Sequence, residues 1–218
     1  MRRLVVLRPE PGASATVERA LERGLDAFAV PLFEVEPVPW RPPDASAFDA
    51  LLLTSANAMR HGGEALQDLR ALPVHAVGEQ TAQAARDAGF QVASAGTGGA
   101  DALLEMLAPG IRLLHLCAED RHAPAAAAQR ITPLVVYRAT AREAPGIGSA
   151  QGCVALVHSP RAGERLAELV SERGSIVLAA ISPAAVQAAG AGWERVETAT
   201  RPTDDALLAL AERLCDNP

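Results

Sequence analysis

Lysine is absent from this 218-residue chain, so its 20 Lys-plus-Arg side chains are all arginine. This absence excludes catalysis that needs a lysine amine, such as Schiff-base and pyridoxal-phosphate chemistry, and phosphate binding by a P-loop lysine. Aromatic residues are also scarce, at 3% of the chain, which excludes the usual platforms for stacking nucleic-acid bases. The formal net charge of −6 likewise argues against a nucleic-acid or membrane-surface binder.

Cysteines are few: Cys117, Cys153 and Cys215 are scattered, and the chain holds no CxxC or HExxH motif. Their odd number favours reduced thiols over a disulfide framework. His115 and Cys117 alternate along a predicted strand and could supply two metal ligands, although a core strand explains them equally well. No apolar run is long enough to cross a bilayer, and the N-terminus lacks the apolar core of a signal peptide. We therefore expect a cytoplasmic protein with no membrane or nucleic-acid partner.

The stretch Leu51–Arg60, LLLTSANAMR, joins a strand pattern directly to a helix pattern. Three successive leucines are typical of a strand that is covered on both faces. Thr54, Ser55 and Asn57 follow at once, and residues of these types cap helix N-termini through their side-chain oxygens. Because the first N–H groups of a helix have no partners within it, such a turn favours the binding of carboxylates or phosphates.

The same strand–turn–helix unit returns later in the chain, in the same order. Three pairs of segments resemble each other: Ala50–Leu66 and Val154–Val170, Val74–Val92 and Val177–Val196, Gly98–Ala108 and Pro202–Leu214. The capping turns align as well as the helices do, which favours two half-chains of similar fold. Chance similarity between alanine-rich helices is the alternative.

Strand and helix patterns alternate throughout, which predicts an α/β protein with mostly parallel sheets. Near the N-terminus we predict a helix over Ala15–Arg23, capped by Ser14. We predict a second strand over Phe28–Val38, which its prolines make an edge strand or a connector rather than a central strand. Further along we predict a helix over Ala56–Leu69 and one or two helical turns over Ala123–Arg130.

The proline-rich stretch Trp40–Asp44 marks a point where the chain passes from one domain to another. The C-terminal part supplies about three strands, and the N-terminal strands complete a sheet of ordinary size. We therefore predict a discontinuous first domain, 1–36 plus 142–218, an inserted second domain, 41–136, and connectors at 37–40 and 137–141. A single split near Ala144 is the alternative, but it leaves the C-terminal domain with too few strands.

Ligands of open parallel sheets bind outside the carboxyl ends of the strands. The turns predicted there are rich in hydroxyl groups and small residues: TSAN at 54–57, GEQT at 78–81, HSPR at 158–161, ISP at 181–183 and RPTD at 201–204. They contain no Ser–His–Asp order, so they favour anion binding by backbone N–H groups; the alternative is that they are only helix caps. The glycine turn Gly96–Asp101 fails the spacing of a dinucleotide-binding fingerprint.

Tyr137 is the only tyrosine, and it ends a predicted strand where the chain crosses between the predicted domains. A phenol with an ordinary pKa of about 10 can donate a proton to a leaving oxygen. A packed aromatic ring with one polar end is the alternative.

Six segments carry a resemblance to a known family: LLLTSANAMR, LPVHAVGEQTAQAARDAGF, VVYRA, HSPRAGERL, ISPAAVQAAG and PTDDALLAL. In this order they resemble uroporphyrinogen-III synthase over nearly the full chain. The resemblance implies two flavodoxin-like parallel-sheet domains joined by a two-stranded connector, with the first domain discontinuous. It implies a cyclising lyase that closes hydroxymethylbilane, a linear tetrapyrrole, into uroporphyrinogen III with inversion of the terminal pyrrole ring and loss of water. It also implies that no metal and no organic cofactor takes part.

Carried over position by position, the resemblance implies that Tyr137 assists loss of the hydroxyl group. It implies substrate-binding roles for Arg8, Ser55, Asn57, Gly78, Thr81, Ser159, Arg161, Ser182 and Thr203. Because the chain is acidic overall, helix N-termini and arginines, among them Arg138 and Arg201, must gather positive potential locally for the acetate and propionate groups of the substrate. The expected partners are hydroxymethylbilane and, transiently, hydroxymethylbilane synthase, and the expected state is a monomer.

Two other functions stay open at this point. One is a non-catalytic two-lobed module that binds a small anionic metabolite. The other is a glycosyltransferase-like or sugar-phosphate enzyme, which would need an acidic base or a nucleotide loop, and the sequence shows neither.

Overall fold

The computed structural model describes residues 1–96, 99–120, 128–143 and 145–216. The strands are β1 Leu4–Val6, β2 Ala27–Ala29, β3 Phe33–Pro37, β4 Ala50–Leu53, β5 Val74–Ala76, β6 Val92–Ala95, β7 Arg112–Ala118, β8 Arg130–Ala141, β9 Val154–Val157, β10 Val177–Ala180 and β11 Arg195–Thr198. The α-helices are α1 Gly12–Glu22, α2 Asn57–His61, α3 Glu79–Asp87, α4 Gly99–Glu105, α5 Pro160–Leu169, α6 Pro183–Ala189 and α7 Asp204–Asp216. None of the described helices combines the length and the apolar character that crossing a membrane requires.

Two compact units divide the chain: Met1–Glu34 with Thr140–Pro218, and Val35–Ala139. Parts of two sequence predictions lie outside the described residues: Thr97 and Gly98 of the glycine turn, and the stretch Ala123–Arg130 as far as residue 127.

The first unit contains a five-stranded sheet in the order β11-β10-β9-β1-β2, in which each strand is parallel to its neighbour. Every residue of β1, β9 and β10 is buried, because helices cover both faces of a parallel sheet. Numbered along the chain, the order is 2-1-3-4-5, which is that of flavodoxin-like domains.

The second unit contributes to a six-stranded sheet in the order β3-β8-β7-β4-β5-β6, and β4 to β8 pair with one another in parallel. Beside β3, the spatial sequence β8-β7-β4-β5-β6 matches β2-β1-β9-β10-β11 of the first sheet strand for strand. Strands β4 to β6 and β9 to β11 therefore occupy corresponding places, as expected for two half-chains of similar fold. The first unit is a circular permutation of the second, because its outer pair of strands comes from the N-terminus.

Helices α5 and α6 begin in the same way. Ser159 and Ser182 are their N-cap residues, and a proline follows each serine at the first helical position. A serine oxygen satisfies an N–H group that has no partner within the helix, and proline there loses no hydrogen bond. The two Ser-Pro pairs thus explain why both helices start where they do.

Two predicted elements near the N-terminus were wrong in detail. The first helix starts at Gly12, and Ser14 lies inside it; the Glu10 carboxylate accepts hydrogen bonds from the Ser14 N–H group at 3.0 Å and its hydroxyl at 2.9 Å. The predicted strand Phe28–Val38 is two strands in different sheets, β2 and β3. Pro31 lies between them, and a residue without an N–H group cannot continue a hydrogen-bonded ladder.

The helix predicted over Ala56–Leu69 was too long. It ends at His61, and a 3-10 helix takes over at Glu64–Leu69. Between them Gly63 has φ 70°, a left-handed conformation that glycine adopts without strain. Two adjacent glycines therefore divided one helical pattern into two pieces.

Gly163→Ala should destabilise the protein by about 1–3 kcal/mol, as overpacking does. A Cβ atom at Gly163 in α5 would lie 2.6 Å from the Ala185 carbonyl oxygen and 3.0 Å from the Ala189 nitrogen in α6, so backbone must move. This loss should outweigh the higher helix propensity of alanine. Urea denaturation measures it, with Gly148→Ala as the control because a Cβ there meets nothing within 4 Å. Equal unfolding midpoints for the two variants would contradict the close packing of α5 on α6.

Candidate active site

Each sheet has one place where successive connections run in opposite directions, between β1 and β9 in the first and between β4 and β7 in the second. Ligands of open α/β sheets bind at such a switch point, outside the carboxyl ends of the strands. Arg8 follows β1, and the segment 158–161 follows β9. Residues 54–57 follow β4. Two groups of predicted site residues, one in each unit, therefore lie at the switch points.

Ser55 and Tyr137 lie together in the second unit. Tyr137 lies in β8 and is 7% exposed, and the Ser55 side chain hydrogen-bonds to it. Ser55 Oγ also accepts a hydrogen bond from the Asn57 N–H group at 3.2 Å. Burial raises the pKa of the Tyr137 phenol above its ordinary value, and the Ser55 hydrogen bond offsets part of that rise. The phenol is thus protonated at neutral pH and can act as a proton donor.

The position of Tyr137 in β8 depends on an irregularity in the sheet. The pairing of β7 with β8 shifts register between Cys117 and Ala118, so that Ala118 lies opposite Tyr137. Such bulges re-aim side chains. The His61 ring lies beside the phenol, with 6.3 Å between ring centroids and an interplanar angle of 34°. Burial and the charge of Arg60 lower the pKa of His61.

His115 and Cys117, the two candidate metal ligands on β7, are both buried in the second unit. His115 Nε2 hydrogen-bonds to the Thr54 hydroxyl at 2.9 Å, so this imidazole links β7 to the turn after β4. Among the residues that the structure describes, no group of three or more His, Cys, Asp and Glu side chains could hold a metal ion. The burial of both side chains thus fits the explanation that β7 is a core strand.

The other predicted positions of the second unit differ in exposure. Asn57, the first residue of α2, is half-buried, and its Oδ1 lies 3.4 Å from Arg60 Nη1. Gly78 precedes α3, and a Cβ atom there would meet nothing within 4 Å. Thr81 is 7% exposed within α3, so its side chain packs inward.

In the first unit, the hydroxyls of two predicted serines are engaged as caps. Ser159 Oγ accepts a hydrogen bond from the Ala162 N–H group at 3.1 Å, and Ser182 Oγ accepts one from Ala185 at 3.3 Å. Thr203 acts similarly before α7, accepting from Ala206 at 3.3 Å. These three hydroxyl groups therefore act as helix caps, which is the alternative that the sequence left open.

Arginines also lie near the carboxyl ends of the strands. The Arg161 guanidinium stacks over the Phe33 ring, 4.5 Å from its centroid, which holds a cation at the start of α5. In the second unit, Arg138 pairs with Glu36 at 3.1 Å on an exposed face.

Asp204 contacts several side chains, and the sequence did not predict these contacts. Its carboxylate accepts hydrogen bonds from the Thr16 hydroxyl at 3.0 Å and His158 Nε2 at 2.8 Å, and it also pairs with Arg19. Arg8 Nη1 lies 3.7 Å from Asp204 Oδ2. The sequence placed Asp204 in the predicted turn RPTD, 201–204, but no local pattern connects it to His158 or Thr16.

Burial, and after it the positive charge of Arg8, lower the pKa of His158 to about 3. The imidazole is therefore neutral at physiological pH. Its Nε2–H group donates to Asp204, and the interaction is a hydrogen bond to a carboxylate rather than an ion pair.

The free energy of unfolding should fall as the pH drops below about 6.5, the ordinary pKa of histidine. A histidine whose pKa is lower in the folded state stabilises the fold fully above its unfolded pKa and loses that contribution as the pH falls toward the folded value. His158 alone should contribute about 1.4 kcal/mol per pH unit in this range. Denaturation with urea at several pH values tests it. His158→Gln should reduce the slope, whereas His61→Gln, at a half-buried site, should keep most of it. Equal slopes for the wild type and His158→Gln would refute the prediction.

Comparisons with known proteins agree with the fold described above and identify a family. A family model described as uroporphyrinogen-III synthase HemD matches residues 14–209. The solved structure of uroporphyrinogen-III synthetase from Helicobacter pylori 26695 is similar, with a TM-score of 0.67 and 18% identity, covering 98% of this chain and 100% of that chain. A mutant uroporphyrinogen III synthase from Thermus thermophilus gives a TM-score of 0.50 at 18% identity, covering 99% of this chain and 100% of that one. No curated protein matches the sequence.

At such identities the two structures show a shared fold alone. The family model spans far more than half of the chain, and it carries the assignment. The chain belongs to the uroporphyrinogen-III synthase family, whose members are cyclising lyases.

Proposed function

We propose that this protein closes hydroxymethylbilane into uroporphyrinogen III, inverting the terminal pyrrole ring and releasing water. The match of the family model over residues 14–209 carries this proposal. The reaction belongs to tetrapyrrole biosynthesis. Nothing in the described residues favours a non-catalytic anion-binding module instead.

The first chemical step is loss of the terminal hydroxyl group as water, which leaves a reactive azafulvene. Tyr137 is the proposed proton donor. Its burial supports this role, because a phenol that is protonated at neutral pH and shielded from bulk water can pass its proton to a bound substrate. The Ser55 hydrogen bond supports it further, since a fixed phenol directs its proton better than a freely rotating one.

The substituted, electron-rich carbon of the far ring then attacks the electron-poor methylene carbon of the azafulvene, and the spiro intermediate that forms allows that ring to invert. Ring closure without an enzyme already occurs but gives the wrong isomer. The protein must therefore hold the substrate in one geometry more than supply strong catalytic groups. A site built from helix N-termini and arginines, with few acids and bases, is suited to that task.

The acidic substituents of the substrate are the proposed ligands of Arg8 and Arg161, and of the turns that contain Ser55, Asn57, Gly78, Thr81, Ser159, Ser182 and Thr203. Support comes from the switch-point location of Arg8, Ser55 and Ser159. Since the hydroxyls of Ser159 and Ser182 cap helices, we propose that these two turns contribute through backbone N–H groups.

The finer biological setting is also proposed. We propose a cytoplasmic monomer with domains at 1–36 plus 142–218 and at 41–136, connectors at 37–40 and 137–141, and transient contact with hydroxymethylbilane synthase. The division of the chain into two compact units supports the domains. Size-exclusion chromatography with light scattering, with and without hydroxymethylbilane synthase, tests the monomer and the contact.

A coupled assay tests the function directly. Porphobilinogen and a hydroxymethylbilane synthase supply the bilane, this protein is added, and the oxidised porphyrins are separated into isomers I and III. We expect isomer III to replace isomer I as the protein is added. Isomer I alone, with the protein shown to be folded by circular dichroism, would contradict the proposal.

Tyr137→Phe should lower kcat by about ten- to a hundredfold, at the low end of general-acid effects. The substitution removes the proton and keeps the ring packing, so thermal unfolding should change little. Ser55→Ala should lower kcat by a smaller factor, because the phenol loses its fixed orientation.

Ser94→Ala is the matched control for Ser55→Ala. Its hydroxyl hydrogen-bonds to a side chain, His75 Nδ1 at 2.7 Å, at the opposite end of the strand order from β8. It should keep full activity. Full activity in Tyr137→Phe would exclude the phenol as the acid.

A further inference from the structure

The Arg8 guanidinium lies against a glycine of α1. A Cβ atom at Gly12 would lie 2.6 Å from Arg8 Nε, 2.8 Å from Cζ and 2.9 Å from Nη2. No side chain larger than hydrogen fits under the guanidinium in this conformation. The Arg8 guanidinium therefore packs directly on the backbone of the first turn of α1, and this close contact is possible because residue 12 is glycine.

A second side of Arg8 faces Asp204, with 3.7 Å between Nη1 and Oδ2. At this distance the two groups form an ion pair but not a hydrogen bond. The Asp204 carboxylate attracts the guanidinium and sets its direction. Both side chains are largely shielded from water, with exposures of 29% for Arg8 and 13% for Asp204, so solvent screens the attraction less than at an open surface.

Three side chains hold Asp204 in place. Thr16 and Arg19 reach it from α1, and His158 reaches it from the end of β9. An ionised carboxylate has about four acceptor positions, and these donors occupy both oxygens. Its place is therefore fixed by the packing of α1, β9 and α7, and it does not depend on Arg8.

This assembly lies at the switch point of the first sheet, where Arg8 leaves β1 and His158 leaves β9. A guanidinium held in one orientation binds a carboxylate through two parallel N–H groups, and pre-organisation lowers the entropy that binding costs.

We propose that Asp204 is a positioning residue for substrate binding, which together with Gly12 orients Arg8 to receive one carboxylate of the acidic side chains on the bilane. The inference rests on the proposed function, and it adds two residues, Asp204 and Gly12, that act through Arg8.

The role predicts a particular kinetic signature. Arg8 binds a part of the substrate that does not react, so its contact is of similar strength in the ground state and the transition state. Loss of such a contact raises KM and leaves kcat nearly unchanged. A residue that only supports the fold would lower thermal stability without this selective effect on KM.

The experiment measures the initial rate of isomer III formation against bilane concentration for Asp204→Asn and Gly12→Ala. Asp204→Asn should raise KM about tenfold or more, the usual effect of losing a charge-assisted contact. Gly12→Ala should raise KM as well, because the new methyl group displaces a flexible guanidinium and leaves the contacts of Asp204 to Thr16 and His158 intact. Both variants should keep kcat within about twofold.

Two matched controls accompany these variants. Asp205→Asn removes the neighbouring carboxylate, which is 75% exposed and pairs with Arg19 and Arg23, and it should leave KM unchanged. Gly174→Ala adds a methyl group where nothing lies within 4 Å, and it should also leave KM unchanged.

A double-mutant cycle separates positioning from structure. Arg8→Gln should raise KM, and Asp204→Asn added to it should have little further effect, because both act through one guanidinium. Independent, multiplying effects would overturn the inference, as would an unchanged KM in Gly12→Ala. If the wild type makes no isomer III, the proposed function and the inference both fail. If the wild type makes isomer III and the variants keep its KM, the inference alone fails.

Discussion

The pairing of β1 with β9 is the contact on which the first unit depends. Leu4, Val5 and Val6 lie opposite Val154, Ala155 and Leu156, so a strand near the N-terminus completes a sheet whose other strands begin far along the chain. Without this pairing, β2 would have no connection to β9, β10 and β11. The same pairing brings Arg8, two residues beyond the end of β1, near the turn after β9. The strand pairing that closes the sheet therefore also places the residues of the proposed anion site near one another.

Polar groups at the strand ends serve the fold and the proposed site together. Hydroxyls of Ser159 and Ser182 complete helix N-termini, and the neutral imidazole of His158 is fixed by Asp204. Buried polar groups need such partners, because an unpaired one costs free energy. Two of the side chains that contact substrate in our proposal, Arg8 and Tyr137, are themselves oriented by neighbours. This arrangement fits a reaction that needs a fixed substrate geometry more than strong acids and bases.

Local physical chemistry made several elements predictable. Runs of buried leucine and valine predict β4 and β9, because strands covered on both faces need no polar side. The Ser-Pro pairs predict the starts of α5 and α6. Prediction was wrong where two local signals competed. Pro31 divided a continuous strand pattern, and the pair Gly62 and Gly63 divided a continuous helix pattern, since the missing N–H group and the positive φ prevailed over hydrophobic periodicity.

The sequence by itself determined the α/β class, the parallel sheets, the serine caps of α5 and α6 and the resemblance to a synthase family, because each is encoded over short segments or in their order. Tertiary structure decided which side chains meet. The contacts of Asp204 with Thr16 and His158 join α7 to α1 and to the end of β9, and the Ser55–Tyr137 pair depends on a register shift in the sheet. Such contacts follow from strand order and register, which no short segment specifies, so only the folded chain reveals them.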